Sequence, residues 1–146
     1  MKTSIVLLLA AILLLSANSV RAQEDHAYTE GPVMLVSFIR TEPGKFDEYM
    51  RYLSNTYKKL MEEYKKQGII IDYAVYEAVP QTPQDADLVL TITYKNMAAL
   101  DGLQARTDPI DKQVWGSLPK ANEADADRGK IRTQLGTQMV RQLFLK

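Results

Sequence analysis

The sequence predicts a first strand that has hydrophobic residues on both of its faces. Residues 33–39 are apolar at almost every position, and strand alternation divides them between two faces. One face carries Val33, Leu35 and Ile39, and the other carries Met34, Val36 and Phe38. Because one layer of helices covers only one face of a sheet, this strand predicts a second cover on its other face.

A long amphipathic helix is predicted after this strand. Turn-forming residues at positions 41–44 precede it, and Gly68 ends it. Its apolar residues recur three or four positions apart, at Phe46, Tyr49, Met50, Leu53, Tyr57, Leu60, Met61 and Tyr64. Oppositely charged residues four positions apart fill its other face, which is typical of a solvated helix surface.

Three more strands are predicted from runs rich in β-branched, aromatic or alternating apolar residues. They cover residues 69–79, 88–94 and 137–145. Between the last two, Asn96 is predicted to cap a helix, and Pro109 and Pro119 to divide the remainder into short helical pieces. The order strand, helix, strand, strand, helical region, strand predicts an α+β fold of the ferredoxin-like βαββαβ type with an antiparallel four-stranded sheet.

The N-terminus has the pattern of an export signal. A short positively charged start precedes eleven uncharged apolar residues at positions 5–15, and Ala22 provides a small residue at the expected cleavage position. This apolar run is too short for a membrane-spanning helix, which needs about 20 residues. We therefore expect a signal peptide at 1–22, a flexible tail at 23–31 and one domain at 32–146. The mature protein is expected to be periplasmic or secreted, without a stable membrane anchor.

Charge and composition exclude several classes of function. The 146 residues contain 18 Lys plus Arg and 18 Asp plus Glu, and removal of residues 1–22 leaves 16 basic and 18 acidic residues, a net charge of −2. This balance argues against a nucleic-acid partner. The absence of cysteine and the single histidine exclude thiol nucleophiles and cysteine-rich zinc sites. No metal site and no cofactor are predicted.

Three segments resemble the dimeric α+β barrel superfamily, which includes antibiotic-biosynthesis-monooxygenase-like (ABM-like) domains. They are residues 40–49 after the first strand, 94–100 after the third and 141–143 in the last. The resemblance covers residues 32–146 and implies a homodimer in which two sheets pack face to face and form an α/β barrel with a cavity. Members of this family oxidise polycyclic phenols without a cofactor, isomerise lactones, carry out haem chemistry or only bind small molecules. The haem-dependent members typically use a core histidine, and residues 32–146 contain none.

Asp72 is the candidate for acid–base chemistry. By strand alternation it shares a face with apolar residues and with Tyr76, and a carboxylate among apolar side chains is costly to bury. It is therefore either a functional base with a raised pKa or an acid that hydrogen bonds or an ion pair satisfy. Arg40 is its candidate partner and a candidate catalytic residue, and Arg141 or Gln142 could serve instead.

Six residues are candidate ligand contacts, because they lie on strand faces that could meet the cavity or in a segment that could close it. They are Phe38, Tyr76, Thr91, Thr93, Trp115 and Arg141. The two threonines alternate with Leu88, Leu90 and Ile92, which are expected to meet the helices. The sole tryptophan stands in a poorly patterned stretch, where it either closes a pocket or fills the core or an interface.

Three functional hypotheses follow. We favour an exported homodimer that binds a small apolar or aromatic molecule in its barrel cavity without turning it over. The alternative is a cofactor-free monooxygenase or isomerase acting on an aromatic or phenolic substrate, with Asp72 as general base and Arg40 or Arg141 holding an anionic oxygen. This alternative requires Asp72 to lie at a cavity. A third hypothesis is a structural or interaction module with a filled barrel, which predicts no pocket above about 300 Å³.

Overall fold

The computed structural model describes residues 26–146, and the predicted signal peptide lies outside the described residues. Its strands are β1 (Tyr28–Thr41), β2 (Asp72–Glu77), β3 (Leu88–Tyr94) and β4 (Arg132–Leu145). They form one antiparallel sheet in the order β2–β3–β1–β4. This sheet, with its two helical crossovers, confirms the predicted ferredoxin-like α+β fold.

Two helical segments connect the strands. The first contains α1 (Phe46–Tyr52), a π-helical turn (Leu53–Tyr57) and α2 (Lys58–Lys66). The second contains a short 3-10 turn (Met97–Leu100), α3 (Leu103–Trp115) and α4 (Leu118–Arg128). Asn96 caps the 3-10 turn, since its side-chain oxygen accepts a hydrogen bond from the Ala99 N–H at 3.0 Å.

The π-helical turn determines which residues of the first helical segment are buried. Around an uninterrupted α-helix, Tyr49 and Met61 would lie about 120° apart, because each residue advances the helix by about 100°. The wider turn takes up one extra residue and reduces this angle to about 20°. Both side chains are buried, at 2% and 3% exposure. The segment therefore presents one continuous apolar face to the sheet.

β1 and β4 extend past the other two strands as a two-stranded ribbon. Because Tyr28 pairs with Leu145, β1 includes residues 28–31, and the predicted loose tail is wrong there. β4 also begins earlier than predicted, at Arg132, which pairs with Thr41. The N-terminal part of β1 and the added part of β4 are polar, yet both form strands because each pairs through backbone hydrogen bonds with the opposite strand. This pairing cannot be predicted from the local sequence of either segment.

The two prolines of the second helical segment behave differently. α3 continues through Pro109, so the break predicted there is wrong. An interior proline costs a helix about 3 kcal/mol, and burial of the next residue, Ile110, against Met61 and Tyr94 opposes this cost. The break predicted at Pro119 is confirmed, since this residue lies in the first turn of α4 behind the capping residue Ser117.

The helices cover one face of the sheet. Ile39, Leu88 and Leu90 on that face pack against Tyr49 and Leu53 of the first helical segment, and the placement of the two β3 leucines confirms the predicted alternation. We call the opposite face the open face. It carries the even-numbered residues of β2, the odd-numbered residues of β3 and the even-numbered residues of β1 between positions 34 and 38. These are Met34, Val36, Phe38, Asp72, Ala74, Tyr76, Val89, Thr91 and Thr93.

Candidate functional site

A cavity of about 400 Å³ lies between the helices and the helix-covered face of the sheet. We call it the interlayer cavity. Four strand residues form its floor: Ser37, Ile39, Leu90 and Ile92. Its walls come from all four helices, from the π-helical turn and from the start of β4. Small-molecule sites typically measure about 300–1,000 Å³, so this cavity is large enough for an aromatic ligand.

Four tyrosines of the first helical segment line the interlayer cavity: Tyr49, Tyr52, Tyr57 and Tyr64. The rings of the first two stack with their centroids 5.9 Å apart. Burial raises the pKa of all four hydroxyls. Each hydroxyl therefore stays protonated at neutral pH and can donate a hydrogen bond. The apolar face of the long helix, which the sequence predicts to lie in the core, therefore also forms an aromatic wall with polar hydroxyl groups.

Two residues that line the cavity each bury a polar side-chain atom that has no hydrogen-bond partner in the described part of the chain. The atoms are Tyr57 Oη and Arg132 Nε. The Arg132 side chain is only 13% exposed, and its guanidinium carbon lies 5.9 Å from the centre of the Tyr49 ring. A buried polar group without a partner costs about 1–3 kcal/mol.

A second arginine joins the same wall. Arg128 Nη1 donates a hydrogen bond to Tyr52 Oη at 2.7 Å, and its guanidinium carbon lies 5.0 Å from the centre of that ring. Asp125 accepts a hydrogen bond from Arg128 Nη2, and its Oδ1 lies 3.7 Å from Arg132 Nη2. Two guanidinium groups therefore share one carboxylate, which leaves a local excess of positive charge at this end of the cavity.

A carboxylate lies in another part of the wall. Asp111 Oδ1 accepts a hydrogen bond from Tyr64 Oη at 2.5 Å. Burial, and then this hydrogen bond, raise the pKa of the Tyr64 hydroxyl. Asp111 therefore provides the cavity with a hydrogen-bonded acceptor on α3, at a position where no sequence pattern predicted a functional acid.

Asp72 does not lie at the interlayer cavity. Its side chain is 65% exposed and forms an ion pair with Lys65 Nζ at 2.9 Å. This hydrogen bond lowers the pKa of the carboxyl group. The prediction of a base with a raised pKa is therefore wrong, and Asp72 is the satisfied acid of the two alternatives.

The predicted arginine partners of Asp72 are also wrong. Asp72 lies in register with Thr93, which pairs with Met34 on β1, and Arg40 is six residues further along that strand, about 20 Å away. Arg40 Nη1 instead donates a long hydrogen bond to the Pro83 carbonyl at 3.5 Å. Arg141 forms an ion pair with Glu30 across the ribbon.

The candidate ligand contacts are divided between the two faces of the sheet. Trp115 lines the interlayer cavity, and its contact with a ligand stays a prediction. Phe38, Tyr76, Thr91 and Thr93 lie on the open face, opposite the cavity. Alternation grouped these four residues correctly, and Phe38 also lines a second cavity of about 390 Å³. Ligand contact at these four residues stays a prediction.

Sequence reasoning missed Arg128, Arg132 and Asp111 as site residues. Arg128 belongs to α4, whose alanine and charge content is typical of a solvated surface, yet α4 covers one side of the interlayer cavity. Arg132 is the first residue of β4, ahead of the predicted start of that strand. One sequence feature could have indicated the cavity. The apolar face of the long helix is rich in tyrosine, whereas an ordinary core favours aliphatic residues there. A tyrosine needs a partner for its hydroxyl when it is buried.

The described residues contain no recognisable metal centre and no membrane span. Within 26–146, no group of three or more His, Cys, Asp or Glu side chains is arranged to hold a metal ion. In the same range, no helix is both long and apolar enough to cross a bilayer.

Comparison with known proteins identifies the fold but not a family. Neither a protein-family model nor a curated protein matches the sequence. HapK from Hahella chejuensis is similar in structure, with a TM-score of 0.52 and 13% identity over 75% of this chain and 91% of that one. A dimeric ferredoxin-like protein from an uncultured marine organism gives a TM-score of 0.51 and 12% identity over 81% of this chain and 98% of that one. The chain therefore has the ferredoxin-like α+β fold of these proteins, which is compatible with the ABM-like resemblance.

Proposed function

We propose that the mature chain is an exported homodimeric domain that binds a small aromatic molecule in the interlayer cavity. The observation that carries this proposal is a cavity of about 400 Å³ whose wall contains four tyrosines. The tyrosine wall supplies flat apolar surface, and the charged residues Asp111 and Arg128 of the same wall supply orientation. A purely structural module predicts an interior without such a space.

We infer that the chain dimerises through the open face. Val36, Val89 and Thr91 form its centre, and a sheet with apolar residues on both faces needs a second cover. A similar solved structure is described as dimeric. The exported location rests on the pattern of residues 1–22, and a secreted or periplasmic product beginning at Gln23 would support it.

Binding is tested with N-phenyl-1-naphthylamine, a neutral aromatic fluorophore, and residues 23–146. Trp115 is the only tryptophan in the chain and lines the cavity, so its emission should be quenched as the probe binds. We expect saturable binding of one probe per protomer. Ser37→Phe would fill the cavity floor and weaken binding at least about tenfold.

Ser54→Phe is the matched control, because Ser54 is exposed on the outer helix surface. It should bind the probe like the wild type. Absence of saturable binding, or equal loss of binding in both variants, would contradict a ligand site in the interlayer cavity.

A second candidate function is cofactor-free oxidation or isomerisation of a phenolic ring. It is favoured by one observation, the Asp111 carboxylate in the cavity wall, which could accept the phenolic proton while Tyr64 holds it in position. Oxygen uptake with 1-naphthol tests the oxidation. We expect Asp111→Asn to abolish it and Asp101→Asn, on the exposed helix-connecting loop, to leave it unchanged. No uptake by the wild type leaves the binding proposal standing and removes the oxidase.

A further inference from the structure

We propose that the aromatic ring of Phe144 inserts into a groove over Gly136 of a second copy of the chain, and that the second copy makes the same contact in return. The inference rests on the proposed dimerisation through the open face and names the contacts that direct it. Three observations carry it: a strand glycine that the single chain does not need, an exposed aromatic ring near the other end of the same strand, and a row of side chains between them that is complementary to itself.

The fold of a single chain does not require glycine at position 136. Gly136 lies in β4 opposite Phe38, its φ is not positive, and a Cβ added there would meet no atom within 4 Å. The adjacent bulge does not need it either, because a bulge that requires glycine holds it at positive φ. Glycine inside a strand costs stability and often marks a place where another molecule approaches closely. The open space over Gly136 is therefore a candidate contact.

The space over Gly136 belongs to the second cavity, of about 390 Å³, which we call the glycine groove. Phe38, Ala86 and Leu135 give the groove apolar lining. Its one lining carboxylate, that of Asp85, accepts two hydrogen bonds from backbone N–H groups of its own loop, at 2.9 Å and 2.8 Å. The groove therefore has both the room and the apolar surface that an aromatic side chain needs.

An exposed aromatic ring lies near the far end of the same strand. Phe144 is 47% exposed. It shares the open face with Gly136, because both are even-numbered residues of β4 and the register shift near Phe144 adds a residue to β1 instead. The ring lies over Gly31, where a side chain would collide with it, so it has a defined place on the ribbon. Such a ring is typical of an anchor in a protein interface.

The open-face residues of β4 form a row that is complementary to itself. In chain order they are Gly136, Gln138, Val140, Gln142 and Phe144. A twofold axis that crosses the strand at Val140 places each residue opposite the one that is equally far from the centre in the partner. Glycine then faces phenylalanine, and the two glutamines face each other and can exchange amide hydrogen bonds. The ring and the groove therefore meet at both ends of the row.

The distribution of charge favours contact along β1 and β4. Their open-face residues at 34–38 and 136–144 are all uncharged, and the charged pair of the ribbon, Glu30 and Arg141, lies on the other face. Asp72, at the β2 edge, is paired with Lys65 of its own chain, so a neighbouring copy does not meet an unpaired carboxylate there. Charged residues are depleted at the core of protein interfaces.

The size of a stable interface requires the ribbon to take part. The four-stranded part of the open face supplies three residues from each strand, whereas a stable interface uses about 20–30 residues on each side. The ribbon carries the open face beyond that part as far as Phe144. A dimer that buried only the four-stranded part would therefore be too small, and the ribbon is the adjoining surface that enlarges it.

Chemical crosslinking tests the contact directly, because the chain contains no cysteine and every introduced thiol is unique. Gly136→Cys and Phe144→Cys are combined in residues 23–146. Facing sheets lie about 10 Å apart, which is too far for a disulfide, so the thiols are bridged with 1,2-ethanediyl bismethanethiosulfonate. We expect covalent dimers on a denaturing gel. Gly136→Cys combined with Leu143→Cys is the matched control and should give none, because Leu143 lies on the other face.

Exchange of the two side chains tests their complementarity by sedimentation. Gly136→Phe fills the groove from its own chain and Phe144→Ala removes the ring, and each should weaken dimerisation at least about tenfold. The double variant should return to within about threefold of the wild type, because a ring again faces a small residue. Leu143→Ala, at an exposed position on the other face, should change the dissociation constant less than about twofold. Circular dichroism verifies that each variant is folded.

The outcomes separate this contact from the proposed function. A wild type that is monomeric at micromolar concentration would overturn both the dimer and the contact, while ligand binding in the interlayer cavity would still be decided by Ser37→Phe. A dimeric wild type whose Gly136→Cys and Phe144→Cys pair crosslinks no better than the control pair would overturn the contact alone. Additive losses in the double exchange variant would mean that the two residues act independently, and would overturn it as well.

Discussion

Arg128 and Tyr52 are 76 residues apart in the chain, and the arginine contacts the tyrosine in two ways. Its Nη1 donates to the phenolic oxygen at 2.7 Å, and its guanidinium carbon lies 5.0 Å from the centre of the ring. The contact joins the end of α4 to α1 across the interlayer cavity. Since α4 has no fully buried residue of its own, this polar contact is a major part of what holds it over the cavity.

Arg128→Met should loosen α4 more than the rest of the fold. The variant loses a hydrogen bond between a charged and a neutral group and a cation over an aromatic ring, about 2–4 kcal/mol together. Hydrogen exchange measured by mass spectrometry should accelerate across Leu118–Arg128, while α1 stays protected. Arg51→Met, at an exposed position, is the control. Unchanged exchange in α4 would show that this contact does not hold the helix.

The cavity tyrosines should make the fold sensitive to alkali. Burial raises their pKa above the ordinary value of 10.0, so above pH 10 the unfolded chain loses phenolic protons that the folded chain keeps. The unfolded state then binds fewer protons, and the free energy of unfolding falls as pH rises. Urea midpoints measured through this range should fall less steeply in Tyr57→Phe than in Tyr76→Phe. Equal slopes in both variants would contradict the burial of the Tyr57 hydroxyl.

Asp72 and Lys65 should form a pH-dependent pair at the surface. The hydrogen bond from Lys65 lowers the pKa of Asp72 below the ordinary 3.8, so the pair stabilises the fold above that pH and is lost as the pH falls through the lower folded value. NMR titration of the Asp72 carboxyl carbon should show this lowered pKa. In Lys65→Met the pKa should rise towards its ordinary value. Lys66→Met, which removes the neighbour that pairs with Glu63, should leave it unchanged. Binding of N-phenyl-1-naphthylamine should be unaffected by Asp72→Asn.

The open face should be the dimer interface. Val36 lies at its centre, in register with Thr91 and Gln138, and a carboxylate there would be buried without a partner in a dimer. Val36→Glu should therefore sediment as a monomer with an unchanged circular dichroism spectrum, while the wild type and Ser54→Glu sediment as dimers at micromolar concentration. A monomeric wild type would contradict the proposed assembly.

The sequence predicts the local elements of this fold well where one short pattern decides them. β3 has its predicted bounds because a run of apolar and β-branched residues ends at Tyr94 and two polar residues follow it. The early start of β1 at Tyr28 was not predictable in this way, because it depends on pairing with Leu145 at the other end of the chain. The same holds for Pro109, whose helix is stabilised by packing against a distant segment.

The candidate site was harder to predict than the fold. Alternation identifies the residues that share a sheet face, but a cavity depends on how far the helices stand from that face. Trp115 was found because a lone tryptophan is conspicuous. Arg128 and Tyr52 line one cavity only because chain segments 76 residues apart in sequence meet there.

The π-helical turn of Leu53–Tyr57 gives the site a simple genetic basis. Such a turn is an α-helical turn with one inserted residue, so a single codon separates it from a regular helix. It ends at Tyr57, whose hydroxyl has no partner in the described chain, while Tyr49 and Met61 on either side keep their places in the core. A lineage can thus acquire or discard a polar group in this interior by one insertion or deletion, without redesigning the layers around it.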